Sequence, residues 1–231
     1  MQKYTFTSNQ FSAFANKFKD VTTSGENAYF NAVEVGSGSQ SGSYYNWAKC
    51  RIDGTITFEM WHNTSNNDET IKLTGLSGTT TMTGGSSAYF GELIQTDNAV
   101  IVKMFNRSSN AYQSMFMLCK DAEGGVLVVG IRSGSSANVF TAPAQAADTV
   151  QYFMTFSLLG SGRYETLANC DTDTTNRIAM CMQLPNFTAA TQKVYFAQKR
   201  PFPADSGEFL CTIGGKSYLA VGYSTFFIET E

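Results

Sequence analysis

Residues 49–61 read KCRIDGTITFEMW, and they contain two strand patterns separated by Asp53-Gly54. On both sides of this dipeptide, apolar or β-branched residues alternate with polar ones, which is the period of a strand with one buried face. Asp-Gly favours a two-residue hairpin turn because both residues tolerate positive φ. We therefore predict two antiparallel strands joined at Asp53-Gly54.

The same combination of strand patterns and turn residues recurs along the chain. Three further turn signals separate strand patterns: Asp97-Asn98, Glu123-Gly124-Gly125 and Gly214-Gly215. Strands do not alternate regularly with helices, which disfavours a parallel α/β fold. The sequence predicts an all-β, mostly antiparallel protein of one or two β-sandwich or jelly-roll-like domains, with one short N-terminal α-helix.

That helix is predicted from an aromatic stripe near the start of the chain. The stripe has the spacing i, i+3, i+4 and i+7: Phe11, Phe14, Ala15 and Phe18. Ser8 is the expected N-cap, and Lys17 and Lys19 suit the negative end of the helix dipole. The stripe packs either on a sheet of its own subunit or on a neighbouring subunit.

Two stretches rich in small residues predict connections. VGSGSQSGS, at residues 35–43, has the composition of a mobile loop, and TAPAQAADT, at residues 141–149, marks a domain boundary near residue 145. The expected organisation is an N-terminal strand and helix at 1–24 and a β-sandwich domain at 25–145. Residues 146–231 form a second β domain or continue the same sandwich.

Composition excludes several classes of function. Hydrophobic residues make up 42% of the 231, enough for a core, while the net charge of −3 comes without a basic cluster. Binding to nucleic acid is therefore not expected. The apolar runs are too short to span a bilayer, and MQKYTFTSNQ has no apolar leader, so we expect neither membrane insertion nor secretion.

An odd number of cysteines, five, favours buried free thiols over a disulfide framework or a zinc site.

Residues 58–69, FEMWHNTSNNDE, contain His62, the only histidine, among several acidic residues. Histidine is the most common general base. In a strand, however, Glu59 and Trp61 share one face while His62 points to the other. The polar residues that follow are typical of a turn. The sequence favours a surface histidine at a strand end over a catalytic one.

Neither a metal site nor a pair of catalytic carboxylates is predicted. CDTDTTNRIAMCM, at residues 170–182, opens like a calcium loop, but Asn176 stands where glycine is required and Met182 stands where a bidentate glutamate is required. Nothing in the spacing of Glu59, Glu92 and Glu165 links them as glycosidase carboxylates. We expect a protein that is not an enzyme, with no catalytic, cofactor-binding or metal-binding residue.

Three aromatic residues follow the Gly/Ser-rich stretch in SGSYYNW: Tyr44, Tyr45 and Trp47. Aromatic rings of this kind pack half-buried on a core, anchor protein interfaces or stack on sugar rings. All three alternatives stay open at the level of sequence.

Residues 207–229, GEFLCTIGGKSYLAVGYSTFFIE, resemble the closing hairpin of β-rich structural proteins in tailed bacteriophages and prophages. The matching residues are Phe209, Ile213, Gly214, Gly215, Lys216 and Tyr218. The body of the chain, rich in Ser, Thr, Asn and Gly and poor in charge, is also similar to that of virion proteins.

The resemblance implies a viral structural protein, made in the cytoplasm of a bacterial host and located in the virion. Its role would be a tail or neck component, a capsid decoration protein or a fibre base. Its partners would be copies of itself, in a homo-oligomer, and other virion proteins. The alternative function is a β-sandwich module that binds carbohydrate or a host receptor, with Tyr44, Tyr45 and Trp47 as the glycan contacts.

The expected subunit interface combines residues of the last strands with the aromatic stripe of the helix: Phe209, Ile213, Tyr218, Phe226, Phe227, Ile228, Phe11, Phe14 and Phe18. Three consecutive apolar residues, 226–228, predict a strand that is covered on both faces. That strand is tied into a sheet either of this subunit or of its neighbour. Removal of residues 222–231 is therefore expected to prevent assembly.

Overall fold

The computed structural model describes residues 1–25, 28–75, 78–83, 87–120, 126–132, 136–141, 164–169, 178–182, 194–196, 208–213, 216–221 and 226–230. These residues form one helix and antiparallel strands, which confirms the predicted fold class. In chain order the elements are β1 (Gln2–Thr5), α1 (Phe11–Thr22), β2 (Ala32–Gln40), β3 (Ser43–Ile52), β4 (Thr55–Asn63), β5 (Glu69–Gly75), β6 (Gly78–Thr83), β7 (Ala88–Gln95), β8 (Ala99–Asn106), β9 (Tyr112–Lys120), β10 (Val126–Arg132), β11 (Ser136–Thr141), β12 (Tyr164–Asn169), β13 (Ile178–Met182), β14 (Val194–Phe196), β15 (Glu208–Ile213), β16 (Lys216–Val221) and β17 (Phe226–Glu229).

The strands are arranged in three sheets. The first sheet has the order β1-β7-β8-β9-β10-β11, the second has the order β2-β3-β4-β5-β6, and the third has the order β12-β13-β14-β17-β16-β15. The first two sheets are mainly runs of sequential hairpins, the arrangement of antiparallel meanders rather than of jelly-roll crossovers.

The predicted hairpins are present. Asp53 and Gly54 have φ of 48° and 80° between β3 and β4, as a two-residue turn with two positive φ angles requires. In the connection from β7 to β8, the Thr96 hydroxyl accepts hydrogen bonds from the N–H groups of Asn98 and Ala99. The strand pairs β9–β10 and β15–β16 also form, while their turn residues lie outside the described residues.

The loop predicted at residues 35–43 is wrong, because most of it belongs to strand β2. Gly36 and Gly38 pair with Trp47 and Tyr45 of β3. A Cβ added to Gly36 would lie 2.9 Å from Trp47 Nε1, and one added to Gly38 would lie 3.0 Å from Trp47 Cη2. The indole therefore lies across two glycines, which are present because a side chain would displace the ring. Composition alone cannot distinguish this use of glycine from a flexible linker.

Helix α1 begins at Phe11, so the prediction of Ser8 as its N-cap is wrong. Gln10 takes the N-cap position, and its side-chain Oε1 accepts a hydrogen bond of 2.7 Å from the Thr7 N–H. The predicted stripe is confirmed, since Phe11, Phe14, Ala15 and Phe18 are all buried. The stripe packs in the core of its own chain and is not a surface for a neighbour.

The main core lies between the first and second sheets, with α1 contributing to it. Phe14 stacks on Phe90 of β7, with ring centroids 4.9 Å apart. Phe18 contacts Phe58 of β4 at 6.2 Å and Phe116 of β9 at 6.4 Å, so one helical side chain reaches both sheets. This aromatic cluster places the N-terminal segment between the two sheets of a sandwich.

The third sheet contains the last strand of the chain in an interior position. Strand β17 pairs with β14 on one side and with β16 on the other. The adjacent residues Ile228 and Glu229 are 0% and 4% exposed, so both faces of the strand are covered there. The prediction that this segment is tied into a sheet is confirmed, and the sheet belongs to its own chain. The boundary proposed near residue 145 lies outside the described residues.

Candidate functional site

The face of the second sheet that points away from the core carries a group of aromatic rings, here named the aromatic face: Tyr45, Trp47 and Trp61. Trp47 and Trp61 are directly opposite each other on β3 and β4, with ring centroids 5.6 Å apart. Tyr45 meets Trp61 edge to face at 5.4 Å. Sequence reasoning selected Tyr45 and Trp47 but missed Trp61. Counting outward from the Asp53-Gly54 turn pairs Trp47 with Met60, and Trp47 faces Trp61 because the register shifts by one residue between Cys50 and Arg51.

The aromatic face is covered by a charged side chain. Lys49 Nζ lies 4.5 Å from the centroid of Trp47 and 5.3 Å from that of Trp61, within the range of cation–π attraction. Trp61 is only 6% exposed, whereas Tyr45 and Trp47 are half-buried. A flat ligand that stacks on the indoles would therefore have to displace Lys49.

Tyr44 is not part of the aromatic face. It is 47% exposed, and its hydroxyl donates a hydrogen bond of 2.9 Å to Ser37 Oγ. As the neighbour of Tyr45 in a strand, it points to the opposite side. The structure thus brings Tyr45 and Trp47 together and separates Tyr44 from them.

His62 is buried, so the prediction of a surface histidine is wrong. It is 8% exposed, and its Nδ1 lies 3.1 Å from Oε1 of Glu69, its cross-strand partner on β5. The ring of Phe11 stacks on the imidazole with centroids 5.5 Å apart. The predicted orientation is correct, but that side of β4 faces the core.

Glu69 connects His62 to the rest of the sandwich. Its Oε1 accepts a hydrogen bond of 3.2 Å from Arg107 Nη2, and its Oε2 accepts one from the Phe90 N–H. Burial raises the pKa of Glu69, and the bonds from His62, Phe90 and Arg107 oppose this rise only in part. We name His62, Glu69 and Arg107 the histidine–glutamate cluster.

The histidine–glutamate cluster has the geometry of a structural link. Arg107 Nη1 also donates a hydrogen bond of 2.6 Å to the Ser8 carbonyl, which ties the segment before α1 to the end of β8. A general base must reach the proton that it abstracts. The imidazole is instead covered by Phe11 and held by Glu69. The cluster joins both sheets to the N-terminal segment.

A second group of charges lies on the opposite face of the first sheet, here named the lysine–glutamate cluster: Lys3, Glu92, Lys103 and Glu208. Lys103 is 1% exposed and bonds to Glu208 and, at 3.4 Å, to Glu92. Lys3 Nζ lies 3.0 Å from a carboxylate oxygen of each glutamate. No motif predicted this cluster, since its members are up to 205 residues apart.

The lysine–glutamate cluster favours its charged state. Burial opposes ionisation of Glu208, but the bonds from Lys103 and Lys3 outweigh it, so the pKa of Glu208 lies below its ordinary value. Burial likewise opposes the charge of Lys3, yet Glu208 and Glu92 raise its pKa. These charges come from β1, β7, β8 and β15, so the cluster joins the first and third sheets.

The residues predicted as a subunit interface fall into three groups. Phe11, Phe14 and Phe18 are in the main core, and Tyr218 and Ile228 are 2% and 0% exposed within the fold. For the remaining four the structure describes only strand positions: Phe209 and Ile213 on β15, and Phe226 and Phe227 on β17. Sequence reasoning missed Leu210, which lies on β15 and is 74% exposed.

The described cysteines and candidate carboxylates of the sequence analysis are distributed over the three sheets. Cys50 and Cys119 are buried and free, as predicted, and burial raises the pKa of the Cys50 thiol. Glu59 lies opposite Lys49, on a different sheet from Glu92. Glu165 lies on β12, opposite Cys181. Residues 170–177 of the calcium-like stretch lie outside the described residues.

Within the described ranges, no three His, Cys, Asp or Glu side chains are grouped so that they could hold a metal ion. Among the same residues, no helix combines the length and the hydropathy that a membrane span requires. Comparison of the chain with protein-family models, curated proteins and solved structures gives no match.

Proposed function

We propose that this protein is a non-enzymatic virion structural protein of a tailed phage or prophage that acts by self-assembly. The resemblance of residues 207–229 to the closing hairpin of such proteins supports the proposal. Within this stretch, residues 208–213 and 216–221 pair as the antiparallel strands β15 and β16, with Leu210 opposite Leu219. The protein would be a component of a tail, neck, fibre base or capsid decoration.

The observation that carries the proposal is a row of apolar side chains across the third sheet. Ile228, Leu219 and Leu210 are direct neighbours on β17, β16 and β15. Ile228 and Leu219 are 0% and 1% exposed, whereas Leu210, at the end of the row, is 74% exposed. A neighbouring subunit that packs on Leu210 would extend the row and remove this apolar surface from water.

The experiment is a measurement of absolute mass by light scattering after size exclusion, over a range of protein concentrations. Deletion of residues 222–231 cannot separate assembly from folding, because it removes the interior strand β17. Leu210→Ser leaves all strands in place and removes only the exposed apolar group. We expect the parent protein to form oligomers and Leu210→Ser to shift the equilibrium towards the monomer.

Tyr44→Ser is the matched control, since Tyr44 is also exposed but lies on the second sheet. It should leave the mass unchanged. A parent protein that stays monomeric at every concentration, or a Leu210→Ser variant that assembles as the parent does, would contradict self-assembly through Leu210.

A second candidate function is carbohydrate or host-receptor binding, and the aromatic face supports it. Tyr45 and Trp47 are half-buried there beside the side chains of Asn63 and Lys49, so apolar rings and polar groups are adjacent. Sugars are bound by such combinations of ring stacking and hydrogen bonds. On a glycan array, Trp47→Ala should abolish binding and Tyr44→Ala should retain it. An array without hits for the parent protein would reject this function.

A further inference from the structure

We propose that the lysine–glutamate cluster is a conformational lock: the carboxylate of Glu208 fastens the third sheet to the sandwich, and loss of its charge releases that sheet while the sandwich stays folded. Release would uncover an apolar face of the first sheet. The inference is independent of the proposed function, because it concerns how two parts of one chain hold together.

Charges of both signs meet across the contact between the first and third sheets. The first sheet contributes two lysines and one glutamate, and the third sheet contributes Glu208. With Glu208 ionised, two cations face two anions. With Glu208 neutral, Glu92 is the remaining anion of the cluster beside Lys3 and Lys103, and Lys103 is 1% exposed. A buried charge that loses a partner is strongly destabilising, so the closed arrangement depends on this carboxylate.

Apolar side chains of the first sheet lie beside the charged contact. Ile94, Ile101 and Met117 are all 0% exposed and share the face of Lys103 in the strand register. They are separate from the main core between the first two sheets. On the third sheet, Leu219 and Ile228 share the face of Glu208 in the strand register and are 1% and 0% exposed. A hydrogen bond of 2.7 Å from Asn98 Nδ2 to the Glu229 carbonyl also crosses to this sheet.

The direction of the pH effect follows from the lowered pKa of Glu208. Because the folded state holds this carboxylate ionised more strongly than the unfolded chain does, its contribution is complete above the ordinary pKa of 4.5. The contribution is lost as the pH falls through the lower folded pKa. Acid is therefore expected to act on the lock in the same direction as replacement of Glu208 by a neutral residue.

The experiment is hydrogen–deuterium exchange on Glu208→Gln at neutral pH. Glutamine keeps the size of the side chain and removes its charge. We expect amides of β15, β16 and β17 to exchange about 100-fold faster than in the parent protein, because the released sheet loses the packing that stabilises it. Amides of β2, β3 and β4, which lie in the second sheet, should keep the parental rates.

Glu34→Gln is the matched control, because Glu34 pairs with Arg51 at 3.4 Å and its side chain is 52% exposed. It should leave exchange unchanged everywhere. Asn98→Ala tests the same contact without altering charge, and it should speed exchange in β17 by a smaller factor. Equal acceleration in all three sheets would overturn the lock, since the chain would then open as one unit. Parental rates in β15–β17 of Glu208→Gln would overturn it as well.

Discussion

Each charge cluster contains a glutamate, buried Glu69 or half-buried Glu208, and the pKa values of the two shift in opposite directions. Glu69 has a side chain 2% exposed and a raised pKa, whereas Glu208 has a side chain 9% exposed and a lowered pKa. Burial favours the neutral acid in both, more strongly at the less exposed Glu69, and the bonding partners differ as well. At Glu69, His62 and Arg107 both meet Oε1. At Glu208, Lys103 bonds Oε1 and Lys3 bonds Oε2.

This comparison shows that burial alone does not decide the charge state of a carboxylate. Two ammonium groups, one on each oxygen, outweigh the cost of desolvation at Glu208. One guanidinium and one imidazole that share a single oxygen do not outweigh it at Glu69. The surroundings of Glu69 therefore oppose ionisation of its carboxyl group, whereas the lysine–glutamate cluster stabilises the ionised carboxylate of Glu208.

The largest effect is expected from removal of the buried cation. Lys103→Met leaves Glu92 and Glu208 with Lys3 as their remaining partner in the cluster, so the free energy of unfolding should fall by about 3–5 kcal/mol. Urea denaturation at pH 7 measures this loss. Adding Glu208→Gln to Lys103→Met should recover part of it. A double variant less stable than Lys103→Met would show that the two side chains act independently.

A smaller effect, with a pH dependence of opposite sign, is expected at Glu69. Because its pKa is raised, the folded state binds a proton more readily than the unfolded chain between pH 4.5 and the folded pKa. The contribution of Glu69 to stability therefore falls as the pH rises through that window. Glu69→Gln removes the cost of ionising this carboxylate but also removes the partner of Arg107, so the free energy of unfolding at pH 7 should change less than in Lys103→Met.

The denaturation midpoint of Glu69→Gln, measured between pH 4 and pH 8, checks this expectation. The free energy of unfolding of Glu69→Gln, taken relative to that of the parent protein, should decrease towards pH 4, where Glu69 itself becomes neutral. Glu208→Gln in the same series should be less stable than its parent at pH 7 and should approach it at low pH. If both substitutions destabilise the protein equally at pH 7, the contrast between the two glutamates is absent.

The smallest effect is expected from an exposed ion pair. Glu34→Gln removes the partner of Arg51 where water screens both groups, so the free energy of unfolding should change by about 0–1 kcal/mol. Thermal denaturation in low and high salt measures it. A loss of stability as large as that of Lys103→Met would mean that the solvent exposure of an ion pair does not determine its contribution to stability.

Local patterns predicted the parts of the fold that depend on near neighbours. The Asp53-Gly54 turn and the stripe of α1 follow from the conformational range of single residues and from helical spacing. The same reasoning failed at residues 35–43, because the role of Gly36 and Gly38 depends on the ring of Trp47 on the next strand. The same reasoning also failed at His62. It predicted that the side chain lies on the opposite face of the strand from Glu59 and Trp61, but not that this face packs against the core.

The sequence by itself determined the class of this protein: antiparallel strands, hairpin positions, one amphipathic helix and buried thiols. These follow from period, turn chemistry and composition, which act over a few residues. Only the tertiary structure decided which charges meet. Lys3 and Glu208 are 205 residues apart and become partners because β1 and β15 belong to sheets in contact. Their charge state depends on burial and distance, which exist only once the sheets have packed.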